Sequence, residues 1–430
     1  MTSSLNLGIA GLGTVGAGVV ELLRQNGELL GERAGRKIVI KAVSARDRYR
    51  DRGFSLESMR WHEDPMALAV DPEIDAVLEL IGGSEGVALD LTRAALSSGK
   101  SVITANKALL AHHGAELAAL AEANGVTIGY EAAVAGGIPI VKALREGLAG
   151  NRIARVYGIL NGTCNYILTT MRETGRDFED VLAEAQKLGY AEADPTFDID
   201  GIDAAHKLAL LASLAFGCPP NFDAVHIEGI RHISAEDIAF ASEMGYRIKL
   251  LGVARRTDYG LEQRVHPTMV RTGTPISQIE GVFNAVVADG DQVDTTLHSG
   301  RGAGGGPTAS AVVSDIADLA RGAVPPVFTL PVERLTRLPA AHMGRHHGAY
   351  YIRLMVLDQP GVLADVSAMM RDHNVSIEAL IQRARKPGEA VPIVLTTHET
   401  TEADMADVLA RINKLDAVLE APRMIRIEDL

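Results

Sequence analysis

The chain has 430 residues, 47% of them hydrophobic and 23% charged, with a formal net charge of −13. That length exceeds what one hydrophobic core serves, so two or three domains are expected, and the acidic balance argues against nucleic acid or an anionic membrane as partner. No run approaches the ~18 apolar residues of a membrane span, and the polar start MTSSLN is no secretory signal, which makes a cytoplasmic protein the expectation. Only 4% of residues are aromatic, so packing must rest on Ala, Leu, Val and Ile. Cys164 and Cys218 are too few for a disulfide scaffold or a four-ligand zinc site.

The apolar run LNLGIA (5–10) ends in Gly11-Leu12-Gly13-Thr14-Val15-Gly16, and an apolar helical pattern follows through Val19, Val20, Leu22 and Leu23. A G-x-G-x-x-G between strand and helix is a dinucleotide fingerprint. The first glycine permits the turn, the second lets the pyrophosphate approach, and the third lets helix pack on strand. The phosphates would rest on the helix N-terminus.

A second strand, KIVIKAVS, ends in Arg46-Asp47-Arg48. Arg46 and Arg48 favour NADP, whereas Asp47 leaves room for NAD; a plain solvated turn is the alternative. IDAVLELIGG (74–83), SVITANKALL and VTIGYEAAVAGGIPI read as further strands separated by helical segments, which predicts a doubly wound parallel sheet. Thr104, Ala105, Asn106 and Lys107 fall at the C-terminal end of a strand, the edge where such sheets bind ligands.

The segment GIDAAHKLALLASLAF is an alanine-rich apolar helix with Asp203 and Lys207 one turn apart on one face. Such a pair is common on surfaces, yet the helix beyond it is so apolar that its first turn should border a cleft. Carbonyl reduction needs a proton donor beside the developing alkoxide, and a lysine with a neighbouring carboxylate provides one. Glycines recur at Gly300–Gly306, either as a linker or as a loop against the cofactor, ahead of a helical pattern beginning near Thr308. Residues 326–348 read as a linker. From 349 to 430 a strand–helix–strand–strand–helix–strand order follows, with Asp358-Gln359-Pro360-Gly361-Val362-Leu363 between its first strand and helix.

TANKALL, YEAAVAGGIPI, YGILNGTCNYIL (157–168) and LGYAEADPTFDIDGIDAAHK (188–207), in that order, closely resemble the homoserine dehydrogenase family over roughly residues 5–320. The C-terminal segment resembles an ACT domain. The resemblance implies reversible reduction of aspartate 4-semialdehyde to homoserine with NADPH or NADH. It makes Lys207 the proton donor and acceptor, Asp203 the residue that orients substrate or a water, and Lys107 a second lysine beside substrate and cofactor. Glu192 and Asp198 would bind the amino acid, and Asn161, Gly162 and Thr163 would line the same cleft. Glu131 and the carbonyls of Val134, Gly136 and Ile138 would hold a monovalent cation, usually sodium. Thr104 and Gly305 would border the cofactor.

The implied architecture is a Rossmann-type domain over 1–135, completed by about 305–325, an α+β catalytic and dimerisation domain over 136–304, and a ferredoxin-like ACT domain over 349–430. ACT domains pair side by side and bind amino acids at the shared edge. Threonine is therefore the expected effector, at Asp358, Gly361, Val362, Leu363 and Asn374, and a homodimer or homotetramer is expected. A dimerisation module without ligand is the alternative for this domain. Two rival functions are weaker. An aldehyde-oxidising dehydrogenase would need Cys164 as nucleophile, with no evident activating histidine. A sensor that has lost catalysis would lack Lys207, Asp203 or Glu192, and all three are present.

Overall fold

A computed structural model describes residues 4–383 and 388–430. Six strands, β1 (Leu5–Ala10), β2 (Ile38–Ser44), β3 (Arg60–Trp61), β4 (Ala76–Glu79), β5 (Ser101–Thr104) and β6 (Ile128–Gly129), form a sheet of order β3-β2-β1-β4-β5-β6. Every neighbour pair is parallel. The central strands are short and apolar because helices cover both faces. The order reverses between β1 and β4, so the crevice beyond their carboxyl ends is the expected ligand position.

The remaining strands are β7 (Ile153–Ile159), β8 (His226–Ile227), β9 (Tyr246–Thr257), β10 (Gly260–Arg271), β11 (Phe283–Gly290), β12 (Asp294–Arg301), β13 (His347–Leu357), β14 (Ile377–Gln382), β15 (Ala390–Thr397), β16 (Thr400–Thr401) and β17 (Arg423–Glu428). They make one sheet of order β12-β11-β7-β9-β10-β17-β13-β15-β14, with β8 beside β10 and β16 beside β13. The C-terminal module has the expected element order, with helices Val362–Asp372 and Glu402–Ile412. Its last strand also pairs in parallel with β10, Thr268 opposite Arg426, so the module extends the sheet of the middle domain.

Buried charge marks that junction. Arg264, fully buried, lies between Glu262 at 2.7 Å and Glu428 at 2.8 Å. Arg426 donates to both carboxylate oxygens of Glu228, at 2.8 and 2.9 Å, and to Glu402. Guanidiniums taken out of water hold their place only when paired with carboxylates in this way.

Several boundaries differ from the sequence expectation. The β5 strand stops at Thr104 because the Asn106 side chain accepts from the Leu109 N–H, capping a helix that begins at Lys107. The run after Val126 gives only the two-residue β6 before a single 3₁₀ turn, Glu131–Ala133. The helix expected near Thr308 starts at Gly305 and packs along helix Thr14–Ala34, where a side chain at Gly18 would come within 2.9 Å of the Gly305 carbonyl. The segment expected as a linker is packed: Phe328 is fully buried, Thr336 N–H donates to the Gly217 carbonyl, and Leu261 N–H to that of Pro339.

Candidate active site

An open cleft lies between the two sheets' domains. Lys107, Asn161, Gly162, Thr163, Glu192, Asp198, Asp203 and Lys207 all line it, together with Val15 and Gly136. Residues far apart in sequence thus converge on one space.

Asp203 is the centre. It occupies the first turn of helix Ile202–Phe216, after Gly201 in the left-handed conformation (φ 85°), a backbone state that glycine adopts cheaply. Its Oδ2 accepts from Lys207 Nζ at 2.7 Å and from Asn161 Nδ2 at 2.8 Å, and its Oδ1 lies 3.0 Å from Lys107 Nζ. Burial alone would raise its carboxyl, but the charges of Lys207 and Lys107 hold it well below the usual carboxylate range. Lys207 Nζ also donates to the Leu160 carbonyl at 2.7 Å. Lys107 reaches Asp203 from the first turn of helix Lys107–Ala123 in the nucleotide-fold domain, so this ion pair spans the two domains.

Asn161 caps helix Gly162–Thr174 through Cys164 N–H and donates to Asp198 Oδ1 at 2.8 Å. The Thr163 hydroxyl donates to the Tyr190 carbonyl at 2.7 Å and lies 3.2 Å from Asp198 Oδ2. Burial, then the charge of Asp203, push the Asp198 carboxyl up. Glu192 stands exposed at the rim. Cys164 is fully buried, its Sγ donating to the Asp198 carbonyl at 3.2 Å, and burial pushes its thiol up, so it is no nucleophile. His206 stacks on Phe222 at 4.3 Å, and burial and His112 push it down to about 4.

The glycines of the first turn take distinct parts. Gly11 has φ 103°, and a Cβ there would sit 2.4 Å from the Leu80 carbonyl. A Cβ at Gly16 would fall 2.0 Å from the Gly11 carbonyl, whereas one at Gly13 would meet nothing within 4 Å. The loop is therefore closed against protein at its ends and open at its middle, where a pyrophosphate fits. Leu12 is buried beside it, and a Cβ at Gly305 would lie 3.1 Å from Thr14.

Arg46 and Arg48 are exposed beyond β2, with Arg48 over the Trp61 ring at 6.0 Å. Asp47 accepts from the N–H groups of Tyr49 and Arg50 at 2.8 and 3.2 Å. Arg52 donates to the Leu12 carbonyl at 3.2 Å, tying this turn to the glycine loop. The Thr104 hydroxyl donates to Glu79 Oε2 at 2.7 Å, so its side chain is committed to protein. Fully buried Glu79 also accepts from Ile81 and Gly82 N–H, fixing the loop after β4. Sequence reasoning passed over Glu79 and Arg52, although an acid closing the apolar run IDAVLE was a readable signal.

Glu131 is buried away from the cleft, accepting from Val141 and Lys142 N–H at 2.8 and 3.0 Å. Burial, then the nearby Asp315 charge, push it up to about 7. The Val134–Ile138 loop turns through Ala135 and Gly136, both left-handed. In the C-terminal module, Asp358, Gly361, Val362 and Leu363 line an open groove with Gln382 and Ile393. Asn374 is not brought there: it lies beyond the far end of helix Val362–Asp372 in a left-handed turn (φ 56°).

The nucleotide loop, the paired lysines and the appended ferredoxin-like module together define an NAD(P)-dependent oxidoreductase with a regulatory-type domain. Residues 11–131 match the NAD-binding domain of homoserine dehydrogenase, residues 139–317 the homoserine dehydrogenase family and residues 350–417 the ACT domain. The chain belongs to the homoserine dehydrogenase family. It is 47% identical to homoserine dehydrogenase of Neisseria gonorrhoeae and 46% to that of Pseudomonas aeruginosa, each over 99% of both chains. A solved homoserine dehydrogenase from Thiobacillus denitrificans superposes with a TM-score of 0.93 at 46% identity, over 99% of both chains. A hyperthermophilic archaeal homoserine dehydrogenase in complex with NADPH matches 73% of this chain and 97% of its own, at 29% identity and a TM-score of 0.62.

Proposed function

We propose that the chain catalyses reversible reduction of L-aspartate 4-semialdehyde to L-homoserine, on the route to threonine, methionine and isoleucine, with Lys207 as proton donor. The observation that carries this reading is one carboxylate, Asp203, holding Lys207 and Lys107 at 2.7 and 3.0 Å on the floor of the cleft. A bound nicotinamide would supply the hydride. Lys207 gives a proton to the carbonyl oxygen as its carbon accepts that hydride, and takes it back in the reverse direction. Asp203 keeps both ammoniums aimed at the same oxygen, where negative charge develops. Asp198 and Glu192 receive the substrate ammonium, with Asn161, Gly162 and Thr163 shaping the wall beside it.

The cofactor reading is NADP(H) in preference to NAD(H). Asp47 already accepts two backbone N–H groups, and Arg46 and Arg48 stand free in solvent for a 2′-phosphate. Gly11 to Gly16, Thr104, Lys107 and Gly305 border the dinucleotide, in a domain spanning 1–135 and completed by 305–325; 136–304 carries the chemistry. Glu131 and the carbonyls of Val134, Gly136 and Ile138 hold a monovalent cation, sodium by resemblance to the family. Threonine binds the ACT groove at Asp358–Leu363 and feeds back on activity, in a homodimer or homotetramer paired through the ACT edge.

The test is homoserine oxidation and semialdehyde reduction followed through nicotinamide absorbance, with each cofactor and with added threonine. Turnover with NADPH supports the reading. Inactivity with both cofactors refutes it, and indifference to threonine removes the effector.

A further inference from the structure

Asn284, on β11, belongs to the cleft although nothing in its local sequence marks it. It is 1% exposed. Its Nδ2 donates to the Leu160 carbonyl at 3.0 Å, the same oxygen that accepts from Lys207 Nζ at 2.7 Å. A carbonyl can be met only by the N–H side of an amide, which fixes the amide's orientation. Its Oδ1 is thereby turned away, and that oxygen is buried with no hydrogen-bond partner among the described residues. An amide oxygen left so costs stability until a donor arrives.

The surroundings narrow the donor. Asn284 lines the cleft with Lys207, Gly162 and Gly302. A Cβ on Gly162 would lie 3.3 Å from the free oxygen, and one on Gly302 only 2.1 Å from the amide nitrogen, so both walls are glycine where the amide sits. Gly302 opens the run leading to Gly305 and Thr14, which is the nucleotide side. On the reading proposed above, the substrate ammonium would meet Asp198 and Glu192, and its reacting oxygen the two lysines. The remaining N–H donor in a ternary complex is the carboxamide of the nicotinamide.

We propose that Asn284 Oδ1 accepts a hydrogen bond from the nicotinamide carboxamide and so sets the ring's orientation. This deepens the dehydrogenase reading above and rests on it. One peptide carbonyl, Leu160, then ties the proton donor and the cofactor-positioning amide to a common point. Hydride and proton are thus delivered at a fixed separation.

The experiment compares NADP⁺ with its 3-acetylpyridine analogue, in which a methyl replaces the carboxamide NH₂, in homoserine oxidation. Wild type is measured first, and failure to turn over NADP⁺ refutes the dehydrogenase reading itself. With active wild type, Asn284→Ala is expected to lower kcat/KM for NADP⁺ by about tenfold to a hundredfold while leaving the analogue within about threefold. Asn284→Leu, of similar shape but with no acceptor, is expected to show the same selective loss, and it serves if the alanine variant does not fold. Equal losses with both cofactors would show that Asn284 acts only through Leu160 and would overturn the proposal. A raised KM for homoserine with cofactor preference intact would overturn it too, by placing the free oxygen on the substrate.

Discussion

Replacing Lys207 with alanine is the sharpest test of the proton path. The side chain is 11% exposed and holds two hydrogen bonds, to Asp203 and Leu160. Its loss leaves neither acceptor bare, because Asp203 keeps Lys107 and Asn161, and Leu160 keeps Asn284. The fold should therefore survive with a modest fall in Tm, and the damage should appear in turnover. A positioned general acid contributes about 10²–10⁴-fold, which corresponds to about 3–5.5 kcal/mol of transition-state stabilisation. The expected result is a fall of that size in kcat for homoserine oxidation, with KM for both reactants little changed. Lys207→Arg separates charge from proton transfer: it keeps the cation but does not release a proton near neutral pH, so it should remain far below wild type. An alanine variant within tenfold of wild-type kcat would refute the assignment and shift the role to Lys107.

The glycine loop predicts a contrast: Gly16→Ala, whose Cβ would fall 2.0 Å from the Gly11 carbonyl, should lower Tm sharply, whereas Gly13→Ala, with nothing within 4 Å, should keep its Tm and lose NADPH affinity by fluorescence titration. Removing Arg46 and Arg48 together should raise KM for NADPH about tenfold or more and leave NADH unchanged; equal effects on both would place the turn outside the cofactor site. Burial would raise Glu228, but hydrogen bonds from His226 and Arg426 pull it from 4.5 down to about 2. Its folded pKa is depressed, so its stabilisation is present above 4.5 and is lost as pH falls toward 2. The Tm of Glu228→Gln should accordingly fall less steeply through that window than wild type's. Glu131 is shifted the other way, from 4.5 up to about 7, so its contribution is fully present below 4.5 and lost as pH rises through 7. Sodium bound to the ionised carboxylate would offset that loss. The Tm gain in sodium over choline chloride should grow as pH rises through 7 and vanish in Glu131→Gln.

What was legible in the sequence follows the range of the interactions. The Gly11–Gly16 turn is encoded by residues that must lack a side chain, and Asp203 with Lys207 by the helical period; both are local. The meeting of Lys107, Asn161 and Asp198 with that pair is tertiary, and only family resemblance placed them together. Asn284 was invisible because an asparagine within an apolar strand gives no hint that its amide spans a cleft wall. The pairing of β17 with β10 was hidden for the same reason, since nothing in a six-residue strand specifies a partner about 160 positions away. Residues 326–348 were misleading in another way: their Pro, Arg and Gly content is that of a linker, yet Phe328 anchors the segment against the fold.

That hidden pairing gives the ACT module a physical line to the substrate cleft. Arg426 on β17 clamps Glu228, and two residues on, Ile230 N–H donates to the Ile199 carbonyl at 2.9 Å. Between them, Gly229 sits so close that a Cβ would fall 2.3 Å from the Ile199 carbonyl, so this segment packs directly on the turn Thr196–Asp200. Arg231 adds its ion pair to Asp200 at 2.5 Å. Asp198 hangs from that turn and meets Asn161 and, through it, Asp203. Any effector that altered the seating of β17 on β10 would therefore reach Asp198 through the Arg426–Glu228 pair and the backbone contact beyond it, without the ACT groove touching the cleft. Coupling of this kind is reciprocal: substrate seated on Asp198 would change effector affinity by the same factor as effector changes substrate affinity. A module merely tethered by a flexible linker would show neither effect, and the pairing of buried Arg426 with Glu228 is what distinguishes the two arrangements.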